Sequence, residues 1–380
     1  MNGLAGILFT AGAGFALYIA AGYPLLLAGL ARWRSKPVHK RATDATVTVL
    51  LAVYNGERWI RAKLESILGL DYPRARMQIL VISDGSTDRT DEIVGEFEGQ
   101  GVELLRVPHG GKAAALNAGM ARATGEILFF TDVRQTLEAG ALRHLVACLG
   151  DPAVGGASGH IEIARGGQGG EAEVGLYWRF EKWLRDKLSA SGSLLVATGC
   201  IYALRRDLAR PLPAGTLIDD AYLPLTAIFQ GYRFVFERQA VAYDYAAQWE
   251  TEFQRKVRTL AGLYQLVGFC PRLLNVFTGV GFHFFSYKLG RLLLPYALLL
   301  MAGASFWLPR GWEAAAIGAQ ALGYGLAAVD QWFPAGFPLK RISSACRTVV
   351  VMLAAAFCAG EILFVPAGRL WKEATQPLGA

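Results

Sequence analysis

Long uncharged stretches stand at both ends of the chain, and a segment of ordinary polarity lies between them. Residues 4–31 contain no Asp, Glu, Lys, Arg or His, and the stretch beyond 291 is nearly as apolar. An N-terminal anchor is therefore expected over 1–31, and about three transmembrane helices over 291–380, since a span needs about 20 apolar residues. These three spans are predicted at 292–309, 314–329 and 348–368.

Strand and helix patterns alternate in the middle of the chain. A continuous apolar, β-branched run predicts a buried strand at 46–54, and three further strands are predicted at 77–82, 102–107 and 126–131. Looser patterns predict three more, at 154–163, 194–204 and 233–243. Helical spacing lies between the early strands, including a small-residue helix at 112–123. This alternation with short connections predicts an α/β domain over 46–262 with an open, mostly parallel sheet.

Polar side chains stand where the early strands end. Tyr54 and Asn55 follow the first strand, Asp84 follows the second, and Asp132 follows the fourth. Ligands of open α/β sheets bind beyond the carboxyl ends of the strands, so these residues predict a site there. The chain contains neither G-x-G-x-x-G nor a Walker A motif, which excludes a standard dinucleotide or P-loop domain. Carboxylates suit a base, a ribose, or a divalent cation placed between them and phosphate.

The composition agrees with a membrane-bound chain. Of the 380 residues, 53% are hydrophobic and 18% are charged, whereas soluble domains average roughly 25% charged residues. A fully soluble enzyme, a disordered chain and a disulfide scaffold are therefore excluded. The five cysteines show no C-x-x-C spacing and the five histidines no H-x-x-x-H pair, so zinc chemistry is not expected.

Part of the formal net charge of +7 comes from a basic cluster beside the predicted N-terminal anchor, which indicates the membrane topology. Five basic residues follow the first apolar run with no intervening acid: Arg32, Arg34, Lys36, Lys40 and Arg41. The positive-inside bias then places the chain from residue 32 onward in the cytoplasm. We predict a basic cytoplasmic linker over 32–45, contact with membrane lipids, and no nucleic-acid partner. The expected location is the inner (cytoplasmic) membrane, with several spans.

Residues 263–290 connect the α/β domain with the C-terminal apolar region. Their aromatic and aliphatic positions are interrupted by Arg272 and His283, which favours interfacial amphipathic helices over a span.

Six segments then occur in an order that resembles a known family: VTVLLAVYNGE, LVISDGSTDRT, GGKAAALNAGMARATGEILFFTD, TGCIYALRR, IDDAYL and QRKVR. Together they resemble the family-2 glycosyltransferases, which are inverting enzymes of the GT-A (nucleotide-diphospho-sugar transferase) fold. The similarity is greatest to the membrane-bound branch that includes cellulose and hyaluronan synthases and exopolysaccharide transferases. It extends over residues 45–270.

The resemblance implies a donor site built from the first three segments: Val53, Tyr54, Asn55, Asp84, Lys112 and Asn117. In the family pattern, the residue at Asp84 contacts the uracil or ribose side of the donor. The residue at Lys112 serves the diphosphate side. The implied donor is a nucleoside-diphosphate sugar, and a UDP-sugar is favoured.

The family's D-x-D motif is incomplete in this chain. Asp132 occupies its first position, but Arg134 occupies the third. The resemblance implies a divalent cation, Mg²⁺ or Mn²⁺, held here by one carboxylate rather than two. Mg²⁺ needs few protein ligands when substrate phosphates complete its shell. Arg134 could instead share the diphosphate charge.

Asp219 and Asp220 in IDDAYL match the family's T-E-D or E-D-D element. The resemblance implies that Asp220 is the general base and that Asp219 supports it. A capping role at a helix start is the alternative for this pair.

Gln254, Arg255 and Arg258 match the family's Q-R-x-x-R motif, which implies that the arginines grip the leaving nucleoside diphosphate. Thr259 replaces the family's tryptophan, a stacking platform for the acceptor in polymer synthases. A cellulose-type acceptor channel is therefore in doubt. Three tryptophans could stack on a sugar instead, or pack in the core: Trp178, Trp183 and Trp249.

The sequence thus predicts a membrane-bound inverting glycosyltransferase that moves a sugar to a glycan or lipid-linked acceptor in polysaccharide or glycolipid biosynthesis. A processive polysaccharide synthase is one alternative. A non-catalytic membrane scaffold on a decayed transferase fold is an alternative of another class. Other envelope-biosynthesis proteins are candidate partners.

Overall fold

The structure is a computed structural model that describes residues 2–163, 171–244, 249–334 and 337–370. The side chains of 171–178 and 249–252 lie outside that description. The chain divides into two compact units. The sheet unit comprises Leu30–Gln168 and Lys182–Ala247. The helical unit comprises Met1–Gly29, Gly169–Glu181 and Gln248–Ala380.

The described residues of the sheet unit form eight strands: β1 (Val47–Val53), β2 (Met77–Asp84), β3 (Val102–Val107), β4 (Ile127–Phe130), β5 (Thr136–Leu137), β6 (Val154–Ile163), β7 (Tyr202–Arg205) and β8 (Arg233–Asp244). All eight belong to one sheet in the order β3-β2-β1-β4-β7-β6-β8-β5. The first four strands are parallel, and β7 pairs antiparallel with both β4 and β6. The predicted α/β fold with a mostly parallel sheet is confirmed.

Thirteen α-helices accompany the strands in the described residues: α1 (Asn2–Leu17), α2 (Tyr23–Trp33), α3 (Glu57–Leu68), α4 (Thr90–Gly95), α5 (Lys112–Arg122), α6 (Ala141–Leu149), α7 (Glu171–Ser191), α8 (Asp219–Phe229), α9 (Trp249–Phe269), α10 (Gly279–Phe284), α11 (Gly290–Ser305), α12 (Arg310–Val329) and α13 (Lys340–Cys358). The predicted α/β domain ends at 262, inside α9. The structure instead groups all of α9 with the helical unit.

The central strands are buried on both faces, which explains their continuous apolar sequence. Val49, Ile79 and Phe129 have no exposed surface, and burying each such side chain contributes about 1.5–3 kcal/mol. Helix α5 lies close against the sheet, because a Cβ at Gly119 would stand 2.8 Å from Cδ1 of Ile82. This contact fixes the start of α5 near the carboxyl ends of the strands.

The linker predicted over 32–45 is bound to the sheet unit along its length. The backbone N–H of Lys36 donates to the carbonyl of Ala190 at 2.8 Å, and that of Arg41 donates to Ala147 at 3.0 Å. The Arg233 guanidinium donates to the Lys36 carbonyl at 2.7 Å. These bonds order the linker as part of the unit.

The predicted strand over 194–204 is shorter in the structure. Only Tyr202–Arg205 form β7, and the preceding residues make a bend. The bend contains Thr198 and Gly199. It is bound to the start of α8, since Ala197 donates its N–H to the carbonyl of Asp220 at 2.7 Å.

Among the described residues, three helices are long and apolar enough to cross a membrane: Gly3–Trp33, Gly279–Ser305 and Lys340–Leu363. The N-terminal anchor is one of them. The second begins inside the region predicted as interfacial helices over 263–290, because a π-turn at Phe285–Leu289 continues the helix through Lys288 and Arg291. Helix α12 corresponds to the predicted span at 314–329, but it is not among the three candidates.

Small residues allow close packing in the helical unit. A Cβ at Gly12 of α1 would lie 3.1 Å from the carbonyl oxygen of Ala297 in α11. Glycine at such positions lets apolar helices approach each other closely. The buried Asp330 carboxylate, which directly follows the predicted second span, accepts hydrogen bonds from Ser343 at 2.6 Å and Ser344 at 2.7 Å.

Candidate active site

Three motif residues meet at Lys112, the first residue of α5. Its Nζ lies 2.9 Å from Oδ1 of Asp132 and 2.9 Å from Oδ1 of Asp219. Gly111 precedes the helix with φ of 85°, a conformation that glycine adopts without strain. The structure therefore unites the GGK motif, the incomplete D-x-D motif and the IDD motif around one ammonium group.

The charges at this junction reinforce one another. Burial alone would lower the pKa of Lys112, but the carboxylates of Asp132 and Asp219 outweigh it and raise that pKa. The ammonium is therefore fully protonated at neutral pH. Asp219 also accepts a hydrogen bond from the Tyr202 hydroxyl at 3.1 Å. Burial, followed by the charges of Asp219 and Asp220, raises the pKa of Tyr202 far above its ordinary value, so the phenol remains a donor.

Asp220 stands beside the same junction, and Gly199 leaves the space in front of it open. A Cβ at Gly199 would lie 3.3 Å from Oδ2 of Asp220 and 3.7 Å from Oδ2 of Asp132. Both carboxylates therefore border one small volume that only a glycine leaves clear. Asp219 and Asp220 form the first turn of α8, so two acidic side chains stand at the positive end of the helix dipole.

Asp84 organises the loop in front of α5. Its Oδ1 accepts the Gly110 N–H at 2.8 Å, and its Oδ2 accepts the Gly111 N–H at 2.9 Å. Nδ1 of His109 lies 3.1 Å from Oδ2. Asp84 is 3% exposed, so its observed role is to hold the loop that presents Lys112. A direct contact with the donor remains a prediction.

The end of β1 contributes an aromatic surface. The ring of Tyr54 packs on that of His109 with centroids 4.4 Å apart, and both side chains are about half exposed. Such a surface suits a planar base. The preceding Val53 is buried, and Asn55, with φ of 49°, accepts the Thr87 N–H at 2.8 Å. Asn55 therefore joins the ends of β1 and β2.

Asn117 lies on α5 with both ends of its amide in use. Its Nδ2 donates to the Leu212 carbonyl at 2.9 Å, and its Oδ1 accepts the Leu212 N–H at 2.8 Å. Asn117 therefore holds the segment before α8 in place. Its predicted contact with the donor stays a prediction.

Arg134, at the third position of the motif, forms an ion pair with Asp244 at the end of β8. The neighbouring Gln135 donates from Nε2 to the same oxygen at 2.8 Å. The guanidinium thus already has a carboxylate partner in this chain. Its predicted contact with the diphosphate requires it to share or leave that partner.

The remaining predicted residues belong to the helical unit. Gln254, Arg255 and Arg258 lie on α9, and their grip on a diphosphate stays a prediction. Of the three tryptophans proposed to stack on a sugar, Trp183 is half-buried, whereas Trp178 and Trp249 have side chains outside the description.

Several residues that shape the site escaped the sequence analysis, among them Ser158 on β6. Its hydroxyl oxygen accepts the Thr198 N–H at 2.8 Å and an Arg185 N–H at 3.0 Å. It therefore holds the bend that places Gly199 before Asp220. Thr198 could have been found from the sequence, because it begins the TGCIYALRR motif. No sequence pattern indicates Ser158 or His109.

A divalent cation would find few protein ligands here. Within the described ranges, no group of three His, Cys, Asp or Glu side chains could hold a metal ion. Asp132, about one-third exposed, offers one carboxylate, which fits an ion whose remaining ligands are water and phosphate.

The family model described as Glycosyl transferase family 2 matches residues 48–212. A probable glycosyltransferase of Bacillus subtilis, YdaM, is 26% identical over 235 residues, which cover 57% of this chain and 54% of the relative. The beta-monoglucosyldiacylglycerol synthase of Synechocystis is 28% identical over 148 residues, covering 36% of this chain and 31% of that enzyme. The chain thus spans about half the length of the first relative, and less of the second.

A solved structure supports the same fold over nearly the whole chain. The mannosyltransferase PcManGT from Pyrobaculum calidifontis, in complex with GDP-Man and Mn²⁺, superposes with a TM-score of 0.73 at 23% identity. The match covers 94% of this chain and 99% of that one. The resemblance inferred from the ordered motifs is confirmed, since residues 48–212 match the Glycosyl transferase family 2 model and the chain has the GT-A fold.

Proposed function

We propose that the protein is a membrane-bound inverting glycosyltransferase that transfers a sugar from a nucleoside-diphosphate sugar to a glycan or lipid-linked acceptor. The observation that carries this proposal is the junction at Lys112, where Asp132 and Asp219 each lie 2.9 Å from one ammonium. Asp220 borders the same volume. A scaffold on a decayed fold has no need to keep these charges together.

The arrangement assigns a role to each side chain. Asp220 removes the proton of the acceptor hydroxyl, whose oxygen forms a bond to the anomeric carbon as the bond to the diphosphate breaks on the opposite face. This geometry inverts the anomeric centre. Lys112 stabilises the negative charge of the leaving diphosphate, and Asp219, held by Lys112 and Tyr202, fixes the start of α8.

Asp132 is the residue that would hold a divalent cation, which would supply further positive charge for the diphosphate. The Mn²⁺ in the complex of the Pyrobaculum mannosyltransferase supports this assignment. That protein binds GDP-Man, whereas the motif resemblance favours a UDP-sugar, so both nucleotides belong in the donor test.

A lipid acceptor is supported by the apolar helices and by the similarity to a beta-monoglucosyldiacylglycerol synthase. The product would be a glycolipid or a polysaccharide of the cell envelope. Thr259, in place of the family's tryptophan, favours single transfer over a cellulose-type processive reaction.

The direct test is to incubate membranes containing the protein with a panel of radiolabelled UDP- and GDP-sugars and to separate lipid-soluble from polymeric products. Membranes that carry the Asp220→Asn variant are the matched control. Label incorporated from one donor by the wild type and not by the variant is the expected result. Equal incorporation by both would contradict the assignment.

Sugar transfer should require a divalent cation, because Asp132 retains the first carboxylate of the D-x-D motif and would hold the ion against the diphosphate of the donor. Chelation should reduce the rate at least about tenfold, and titration with Mg²⁺ or Mn²⁺ should restore it. An Arg134→Gln variant is the control, because it removes the guanidinium without adding a carboxylate. Undiminished transfer by the wild type after thorough chelation, with loss in Arg134→Gln, would show that Arg134 replaces the metal.

The sheet unit should face the cytoplasm, since the basic cluster Arg32–Arg41 follows an uncharged N-terminus. In a Cys358→Ser background, a cysteine introduced at the exposed Glu98 should react with an impermeant maleimide only after lysis. A cysteine at Trp307, beyond the candidate span Gly279–Ser305, is the control and should react in intact cells. Labelling of the Glu98 site in intact cells would reverse the orientation.

A further inference from the structure

Lys63 is a buried cation directly beneath the loop that carries Asp132. Its side chain, on α3, has no exposed surface. Nζ donates to Oγ1 of Thr131 at 2.5 Å and to the carbonyl oxygen of Gln135 at 2.6 Å. These two acceptors lie on either side of Asp132 in the sequence. The ammonium thus joins both ends of the loop 131–135.

The contacts of Lys63 extend to the other side of the site. The Thr131 hydroxyl, which accepts from Lys63, donates in turn to the Cys200 carbonyl at 2.8 Å. Cys200 follows Gly199, the residue that leaves the space before Asp220 open. One buried chain of hydrogen bonds therefore links the Asp132 loop to the bend beside Asp220.

Stability alone does not account for a lysine at this position. In the part of the chain that the structure describes, no carboxylate forms an ion pair with Lys63. A buried charge without such a partner is unfavourable, and apolar replacements of buried ions are often neutral or stabilising. Burial lowers the pKa of Lys63 to about 8, and the Asp132 carboxylate acts against that shift.

We propose that Lys63 is a positioning residue that clamps the loop 131–135 and so holds the Asp132 carboxylate where the metal and the diphosphate of the donor meet it. That the positioned Asp132 serves donor binding rests on the proposed function. That Lys63 clamps the loop is independent of that function, because the clamp exists in the protein without substrate.

The test compares Lys63→Met, which keeps the length of the side chain without the charge, with the wild type. Arg61→Met is the matched control: Arg61 lies on the same helix, but it is half exposed and pairs with Glu96 at the surface. Hydrogen exchange of the peptide 127–137 reports the clamp. Mn²⁺ affinity, measured by electron paramagnetic resonance with saturating UDP or GDP, reports the site.

We expect Lys63→Met to melt within about 4 °C of the wild type. Exchange in 127–137 should accelerate at least about tenfold, and Mn²⁺ affinity should fall about 10–100-fold, the effect typical of residues that orient a metal ligand. Arg61→Met should match the wild type in both readouts. Lys63→Gln, which retains an amide donor, should give intermediate values, and it serves as the test variant if Lys63→Met does not fold.

If the peptide 127–137 exchanges its amide hydrogens at the same rate in Lys63→Met as in the wild type, the clamp is overturned. Faster exchange with unchanged Mn²⁺ affinity would overturn its connection to the site. A large fall in melting temperature in parallel with both changes would make Lys63 an ordinary structural residue and would also overturn the proposal. If the wild type binds no Mn²⁺ with either nucleotide, the proposed function fails, and the exchange comparison still decides on the clamp.

Discussion

Asp220→Asn is expected to abolish sugar transfer while leaving the affinity for the donor nucleotide close to that of the wild type. An acceptor hydroxyl is a poor nucleophile until its proton is removed, and a positioned carboxylate contributes about 10²–10⁴ in rate. The amide keeps the shape of the side chain but does not take the proton. Donor affinity should persist because Lys112 and Asp132 are unchanged. Transfer rates and calorimetric nucleotide affinities of the two proteins measure the separation.

Asp219→Asn is the matched control, because it makes the same chemical change one residue away. Asp219 is 6% exposed and bound by Lys112 and Tyr202, so it is not the carboxylate that borders the space beside Gly199. Its substitution should reduce transfer less than Asp220→Asn. If Asp219→Asn is inactive and Asp220→Asn transfers normally, the roles of the two carboxylates are exchanged. If both transfer normally, the base lies elsewhere.

Lys112→Met should lower both donor affinity and transfer rate, with a combined loss of about 10²–10³, comparable to removing one stabilising donor from an active site. The ammonium pairs with Asp132 and Asp219, and in the proposed mechanism it also stabilises the diphosphate. Without it, the two carboxylates repel each other and the substrate, because an unpaired charge in a largely buried position is costly. Nucleotide titration and initial transfer rates measure the two effects separately.

Lys112→Arg is the control that keeps the positive charge while changing its geometry. It should retain more nucleotide affinity than Lys112→Met. Wild-type affinity in Lys112→Met would mean that the lysine only neutralises the carboxylates and does not contact the donor. Equal losses in both variants would assign the effect to the shape of the lysine rather than to its charge.

Strand β1 could be predicted from the sequence because a parallel sheet buries it on both faces. The run at 46–54 is continuously apolar for that reason, and the structure places β1 there. The run at 102–107 also forms the predicted strand, β3, but it lies at the edge of the sheet and its Glu103 and Arg106 are exposed. The run at 194–204 is equally apolar, but most of it is a bend. Its backbone follows hydrogen bonds to Ser158 and Asp220, which lie far away in the sequence.

The candidate site likewise contains residues that could be predicted from the sequence and contacts that could not. Lys112, Asp132 and Asp219 were predictable because each stands at the end of a strand or the start of a helix within an ordered motif. The partners of Asp84 and Asn117 were not, since the atoms that they bind belong to the backbones of Gly110, Gly111 and Leu212. Which N–H or carbonyl faces a side chain is decided by the packing of whole elements.

The ordered linker changes where the catalytic part of the chain begins. The family match starts at residue 48, but the backbone bonds of Lys36 and Arg41 place the physical edge of the domain earlier. The linker and the sheet thus form one structural module. An exchange of catalytic domains between relatives therefore has to be made at the end of α2, before residue 36. A junction at the first strand would leave Arg233 and the last turns of α6 and α7 facing a foreign segment.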